Sequence, residues 1–181
     1  MKDSFLFFKD RNWSDPENFG RVYDEYVKGI YRFIYLKVGS AVDAQDLTSQ
    51  TFLKAWQYLS DDSRDVRNIK AFLYRVARNS VVDHFRSQGS EGQWLENFEA
   101  AETQPSTVSV EEDINKSISH EAVMAAMDKL NPAYREVVLM RYVEDLDMEE
   151  ISQVLNKSNG AVRVLIHRAV QDLKNILDEK R

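Results

Sequence analysis

Apolar residues recur at intervals of three and four along most of this chain, which is the spacing of amphipathic helices. In the N-terminal half the pattern predicts helices over about residues 19–39, 47–59 and 68–86, the first ending near Gly39. No alternating run of β-branched residues with a hairpin turn interrupts them. The predicted fold class is therefore all-α.

Residues 147–173 contain two short amphipathic stretches separated by a polar break, the pattern of a helix-turn-helix. Asp147 is placed to cap the first helix, with Glu150 at the capping-box position, and Ser158 is placed to cap the second. Cations and amides on the outer face of the second helix suit entry into a DNA major groove: Asn159, Arg163, His167 and Arg168. Taken alone, this segment is also compatible with a plain helical hairpin that has a solvated charged face.

The charge of the chain is distributed unevenly. Its net charge of −6 over 181 residues is unusual for a protein that binds nucleic acid. However, residues 68–86 and 157–174 each have four cations and one anion, whereas residues 89–117 have seven anions and one cation. Two basic helices on either side of an acidic spacer suggest two separate contacts with a polyanion.

The acidic segment also suggests how the chain is organised. Residues 89–117 are rich in Ser, Glu, Gln and Gly and show little periodicity, which is typical of a flexible linker. We therefore predict two small helical domains, 1–88 and 118–181, joined by an acidic flexible linker at 89–117. The second domain contains the helix-turn-helix.

Composition excludes several kinds of site. The chain has no cysteine and only three histidines, none of them paired at metal-ligand spacing, so neither a metal nor a cofactor is expected. No apolar run approaches the roughly 20 residues that span a bilayer, and the N-terminal apolar patch is too short for a signal peptide. We expect a cytoplasmic protein without membrane insertion.

Three blocks of the chain resemble the extracytoplasmic-function group of bacterial sigma factors. They are DAQDLTSQTFLKAWQYL at 43–59, NIKAFLYRVARNSVVDHFRSQ at 68–88, and residues 130–173 with the helix-turn-helix. The resemblance implies a protein that binds core RNA polymerase, directs it to promoter DNA and helps to melt the duplex. It also implies an anti-sigma protein as a regulatory partner.

The resemblance implies that the first block binds RNA polymerase and that the second contacts the minus-ten promoter element. The second helix has a continuous polar face that includes Lys54. By resemblance, it would dock on a coiled coil of the largest polymerase subunit through Asp46, Ser49 and Gln50 on that face. The family often has Gln and Glu where this chain has Ser49 and Gln50, so Asp46 would make more of the polar contact. In the third helix and the loop before it, the expected DNA-binding residues are Arg67, Lys70, Arg75, Arg78 and Asn79.

Within that set, Asn79 would contact a melted base while Arg75 and Arg78 hold the backbone. Phe72, where Trp is common in the family, is expected to be a wall of the core.

The helix-turn-helix would read the minus-thirty-five element as duplex. Arg163 is expected to donate a bidentate pair to guanine, Val164 to touch a thymine methyl group, and Leu165 to pack inward. The full predicted contact set is Lys157, Ser158, Asn159, Arg163, Val164, His167 and Arg168.

Two other functions are compatible with parts of the sequence. An autonomous helix-turn-helix regulator would use residues 147–173 alone, but it leaves the resemblance over 43–88 unexplained. A nuclease would use the carboxylates Asp145, Asp147, Glu149 and Glu150. That cluster lies at a predicted helix N-terminus, where acidic residues stabilise the helix dipole without any catalytic role.

Overall fold

The computed structural model describes residues 13–61, 66–89 and 120–178, and within these ranges every regular element is helical. The all-α prediction is confirmed. The helices are α1 (Pro16–Val38), α2 (Ala41–Leu59), α3 (Ile69–Ser87), α4 (His120–Met127), α5 (Pro132–Val138), α6 (Met148–Leu155) and α7 (Asn159–Asp178). A single π-helical turn, Leu139–Val143, follows α5 directly.

The chain divides into two compact units after Val81, near the end of α3. The first unit contains α1, α2 and most of α3, and the second contains α4 to α7. Most of the predicted linker, residues 90–117, lies outside the described residues, so the domain boundaries at 88 and 118 stay predictions.

Local caps set both ends of α1 and the start of α2. Asp15 accepts a hydrogen bond from the backbone N–H of Asn18 at 3.1 Å and so caps α1. Gly39 ends that helix at a φ of 72°, in the left-handed region that glycine adopts without strain. Ser40 then caps α2. Helix α1 therefore ends where the sequence predicted, because the stop signal is local.

The core of the first unit is formed by one face of each helix. Its largest fully buried side chains are Val22, Ile30, Phe33, Ile34, Leu73 and Val81. The apolar spacing predicts that Tyr23 and Val76 belong to this core, but neither is buried. Tyr23 is 44% exposed, with its ring centroid 4.8 Å from that of Phe52. Val76 is half-buried, whereas Tyr74 is buried against Phe33.

The second unit is held together by arginine contacts to backbone as well as by apolar packing. The Arg135 Nε donates to the carbonyl of Met127 at 2.7 Å, which ties α5 to the end of α4. The Arg141 Nη1 donates to the carbonyl of Leu146 at 2.9 Å and fixes the loop that leads into α6. Buried aliphatic residues from α5, the π-helical turn, α6 and α7 fill the centre: Val137, Leu139, Met140, Ile151, Val162 and Ala169.

The helix-turn-helix of α6 and α7 follows the predicted capping pattern. Asp147 accepts from the N–H of Glu150 at 2.8 Å, and the Glu150 carboxylate accepts from the N–H of Asp147 at 2.9 Å. These two bonds form the complete capping box. Asn156 ends α6 with a φ of 53°, and Ser158 accepts from the N–H of Ala161 at 3.2 Å at the start of α7. The turn is therefore specified by short polar side chains that satisfy backbone groups at both helix ends.

Candidate functional site

One face of α2 combines polar and aliphatic side chains that are exposed to solvent. Asp46, Ser49 and Gln50 are all exposed, as a binding face requires. Val42 and Leu53, which lie four residues before and seven residues after Asp46, share this face and are 69% and 57% exposed. The face is therefore a polar centre between two aliphatic residues. The continuous polar face expected from the sequence was wrong in this respect.

Lys54 does not belong to this face. Its Nζ donates to the Ser80 Oγ on α3 at 3.2 Å, so the side chain bridges two helices of the first unit. Ser80 is buried, and its hydroxyl oxygen accepts this hydrogen bond from the lysine. Lys54 thus contributes to helix packing, which its polar neighbours in the sequence did not indicate.

The exposed face of α3 carries a cation and an amide one helical turn apart. Arg75 and Asn79 are exposed, while Lys70 and Arg78 are half-buried. Arg67 is exposed in the segment that leads into the helix. The side chains at i and i+4 lie over one another on a helix, so Arg75 and Asn79 face the same region of solvent.

An aromatic cluster lies beside Arg75. The Arg75 guanidinium is 5.8 Å from the centroid of the Phe72 ring, and the Tyr58 ring is tilted against Phe72 at 5.0 Å. Phe72 is buried, which confirms it as a wall of the core. Tyr58 is 36% exposed, so it presents the accessible ring of this cluster. The sequence analysis does not identify Tyr58, because its exposure depends on how α2 packs against α3.

Helix α7 presents one narrow outward face. Arg163 is exposed and His167, four residues later, is half-buried on the same side. Val164 is half-buried, whereas Leu165 is buried as expected. Gly160 and Gln171 are also exposed along this face, although neither was predicted as a contact. An exposed arginine with half-buried side chains beside it, on a helix packed by its opposite face, fits the requirements of a recognition helix.

The predicted contacts in the turn also have structural roles. The Ser152 hydroxyl, buried in α6, donates to the Asn159 Oδ1 at the start of α7. Ser158 is the cap described above, and the N–H of Lys157 donates to the carbonyl of Ser152 at 3.0 Å. These bonds fix the first turn of α7 against α6, which holds the N-terminal end of the outward face in one orientation.

Arg168 points to a different side of α7 from Arg163. Burial raises the pKa of Tyr134 above its usual value of 10.0, the positive charge of Arg168 opposes that rise, and the negative charge of Asp172 adds to it. Arg168 is therefore close enough to α5 to act electrostatically on Tyr134. Five residues after Arg163, it is rotated by about 140° around the helix axis.

The acidic residues before and in α6 have a local structural explanation. Asp147 and Glu150 form the capping box, and Asp145 adopts a φ of 50° in the preceding loop. Among residues 13–61, 66–89 and 120–178, no three His, Asp or Glu side chains come together as a metal-binding group would require. Of the helices in this part of the chain, none is long and apolar enough to cross a membrane.

Both units match known protein families. The family model for sigma-70 region 2 matches residues 22–91, and the model for sigma-70 region 4 matches residues 120–173. The ECF RNA polymerase sigma factor BldN of Streptomyces coelicolor is 35% identical over 170 residues, which cover 91% of this chain and 62% of BldN. The ECF sigma factor SigW of Bacillus subtilis is 28% identical over 90% of each chain. The chain belongs to the extracytoplasmic-function (ECF) sigma factors.

A solved sigma-factor structure agrees with this fold. The sigma factor RpoE of Bartonella quintana, in complex with the anti-sigma factor NepR, has a TM-score of 0.65 and 20% identity, covering 91% of this chain and 99% of RpoE. The ECF sigma factors are transcription initiation factors without catalytic activity of their own, and both of their sigma-70 regions are present in this chain. The chain spans 62% of BldN's length but 90% of SigW's.

Proposed function

We propose that this sigma factor binds core RNA polymerase through α2 and recognises promoter DNA through α3 and α7. The observation that supports this most is that each matched sigma-70 region presents a cationic helix face over a packed apolar core. Arg75 is exposed on α3 and Arg163 on α7. Promoter recognition at two elements requires two such faces.

The α2 face has the composition of a protein-binding surface. Exposed aliphatic side chains are unfavourable in water and release free energy when a partner covers them. Val42 and Leu53 supply that apolar area, while Asp46 between them supplies a charge for a basic partner residue. Ser49 already donates its hydroxyl to the carbonyl of Gln45 at 3.0 Å, so Asp46 and Gln50 are the stronger polar contacts.

For α3 we propose contact with melted DNA at the minus-ten element. Asn79 carries both a donor and an acceptor, as the edge of an unpaired base requires. Arg75 lies one turn away to neutralise phosphate, and the accessible Tyr58 ring offers a stacking surface next to it. Arg67, Lys70 and Arg78 add positive charge around these residues.

For α7 we propose contact with paired bases at the minus-thirty-five element. Arg163 projects from the exposed face and can donate two parallel hydrogen bonds to a guanine edge. His167 and Val164 flank it, and Lys157, Ser158 and Asn159 approach the backbone from the turn. Arg168 contacts phosphate at the side of the helix and does not read bases, since it lies near Tyr134.

Control by an anti-sigma protein is part of the proposal. The solved RpoE chain is bound to the anti-sigma factor NepR. We extend that mode of control to this chain, in which such a protein would cover the exposed α2 face. The proposed function places the protein in the cytoplasm, with the transcription machinery, and assigns it no enzymatic activity and no cofactor.

The division of labour between α3 and α7 is tested by Asn79→Ala in holoenzyme assembled with core polymerase. We expect less promoter opening with duplex contact upstream retained, because Asn79 acts only on unpaired bases. Permanganate reactivity of bubble thymines measures opening, and DNase protection measures upstream contact. The matched control is Asn175→Ala, an exposed asparagine near the end of α7. Unchanged thymine reactivity in Asn79→Ala would remove this residue from the opening step.

A further inference from the structure

Trp13 is fixed to a distant part of the first unit by a buried hydrogen bond. Its indole Nε1 donates to the backbone carbonyl of Val66 at 3.0 Å, although the two residues are 53 positions apart in sequence. Trp13 is only 6% exposed, and Val66 is also buried. The region 2 family model matches from residue 22, so this tryptophan lies before the part of the chain that the model matches.

The bond lies next to the segment that leads into α3. Val66 is followed by the exposed Arg67 and then by Asn68. The Asn68 Oδ1 accepts from the N–H of Ala71 at 2.9 Å and caps the first turn of α3. The backbone is therefore fixed on both sides of Arg67, by Trp13 on one side and by the helix cap on the other.

We infer that Trp13 is a positioning residue for Arg67. An arginine whose backbone is already held in place loses less conformational entropy when it binds phosphate, so the contact forms more readily. The inference rests on the proposed contact of Arg67 with minus-ten DNA. It adds to that proposal a residue before α1 that sets the backbone position from which the arginine projects.

The test uses the full-length chain in holoenzyme with core polymerase, on a promoter selected by this holoenzyme from a randomised library. Trp13→Phe keeps an aromatic ring in the buried position and removes the N–H donor. We expect the equilibrium constant for promoter opening to fall by up to about 10-fold, because the contribution of one buried hydrogen bond sets the upper limit, while core binding stays unchanged. Replacing Trp13 by benzothienylalanine, which substitutes sulfur for the N–H alone, should give the same fall with the ring shape retained.

A matched control separates positioning from general loss of stability. Thr51 is fully buried in α2, and its hydroxyl donates to the carbonyl of Leu47 at 2.7 Å. Thr51→Val removes a buried side-chain hydrogen bond within α2, which does not involve the segment around Arg67, and should leave opening unchanged. A fall in opening for Thr51→Val as large as for Trp13→Phe would show that lost stability explains both effects, and the inference would be wrong.

A double-mutant cycle with Arg67→Ala tests the route of the effect. If Trp13 acts through Arg67, then Trp13→Phe should have no further effect on opening once Arg67 is alanine. The salt dependence of opening should also become shallower in Trp13→Phe, in the same direction as in Arg67→Ala. Additive effects, or normal opening in Trp13→Phe when Arg67→Ala is impaired, would overturn the inference and leave the proposed function standing. Normal opening in Arg67→Ala would instead overturn the proposed arginine contact and the inference with it.

Discussion

At the scale of single residues, the two arginines of α7 show how position on a helix decides chemistry. Arg163 is exposed on the outward face, whereas Arg168 is half-buried and acts on Tyr134 of α5. Both are cations of the same helix, and composition alone does not distinguish them. Base readout needs a guanidinium that reaches straight into the groove, so we assign it to Arg163.

Replacing Arg163 by alanine should therefore change which sequences are chosen. We expect the binding free energy at the preferred promoter to become less favourable by roughly 1–3 kcal/mol, and the base preference to relax at one or two upstream positions. Lys157→Ala should weaken binding to all sequences nearly equally. It should also reduce the dependence of binding on salt concentration by the equivalent of about one phosphate contact. Transcription by holoenzyme from a library randomised in the upstream element measures both. An Arg163→Ala holoenzyme that selects the parent's sequences would show that another surface reads the duplex.

Other residues show what the sequence could not predict. Trp13 and Val66 are far apart in the chain, so no local pattern indicates their bond. Lys54 looks like part of a polar face until α3 places Ser80 beside it. Both cases depend on tertiary packing. By contrast, the capping box of Asp147 and Glu150 was predicted correctly because its two bonds span only three residues.

At the scale of helices, α2 differs from an ordinary amphipathic helix. Its inward face buries residues such as Leu47 and Phe52, as the spacing predicted. Its outward face nevertheless keeps Val42 and Leu53 exposed on either side of Asp46. Apolar periodicity predicts the buried face of a helix, but an apolar residue on the solvent-exposed face is an exception to the pattern. In the proposed docking, those exceptions are the residues that a partner would cover.

Polymerase binding should therefore depend on both kinds of side chain of the α2 face. We expect Asp46→Arg and Leu53→Ser each to raise the Kd for core polymerase about tenfold or more, because buried charges and apolar anchors dominate interface energies. Matched controls on α1 are Asp24→Arg, an exposed charge reversal, and Tyr35→Ser, which removes an exposed ring. A fluorescence titration of core polymerase with the full-length variants gives the values.

The two variants, Asp46→Arg and Leu53→Ser, test different parts of the proposed contact. Normal binding by Asp46→Arg would contradict docking through α2. Weak binding by Asp46→Arg together with normal binding by Leu53→Ser would keep the docking site and remove the aliphatic residue from it.

At the scale of the whole molecule, net charge and local charge have different consequences. The chain is acidic overall at −6, yet α3 and α7 each have a cationic face. An acidic protein is repelled by DNA at long range, which disfavours nonspecific binding by the free chain. Sequence-specific contact is then expected once core polymerase brings both faces to the promoter. The charge pattern was visible in the sequence, whereas the packing that exposes the two faces required the structure.

We propose that this chain gives core RNA polymerase a promoter preference that has two parts. The most direct measurement is transcription from a randomised promoter library by purified core polymerase, with and without the full-length protein, followed by sequencing of the templates used. We expect two enriched elements at a constant separation that appear only with the protein. We also expect Asn79→Ala to alter the downstream element and Arg163→Ala the upstream one. Identical template use with and without the protein would contradict a role in promoter selection.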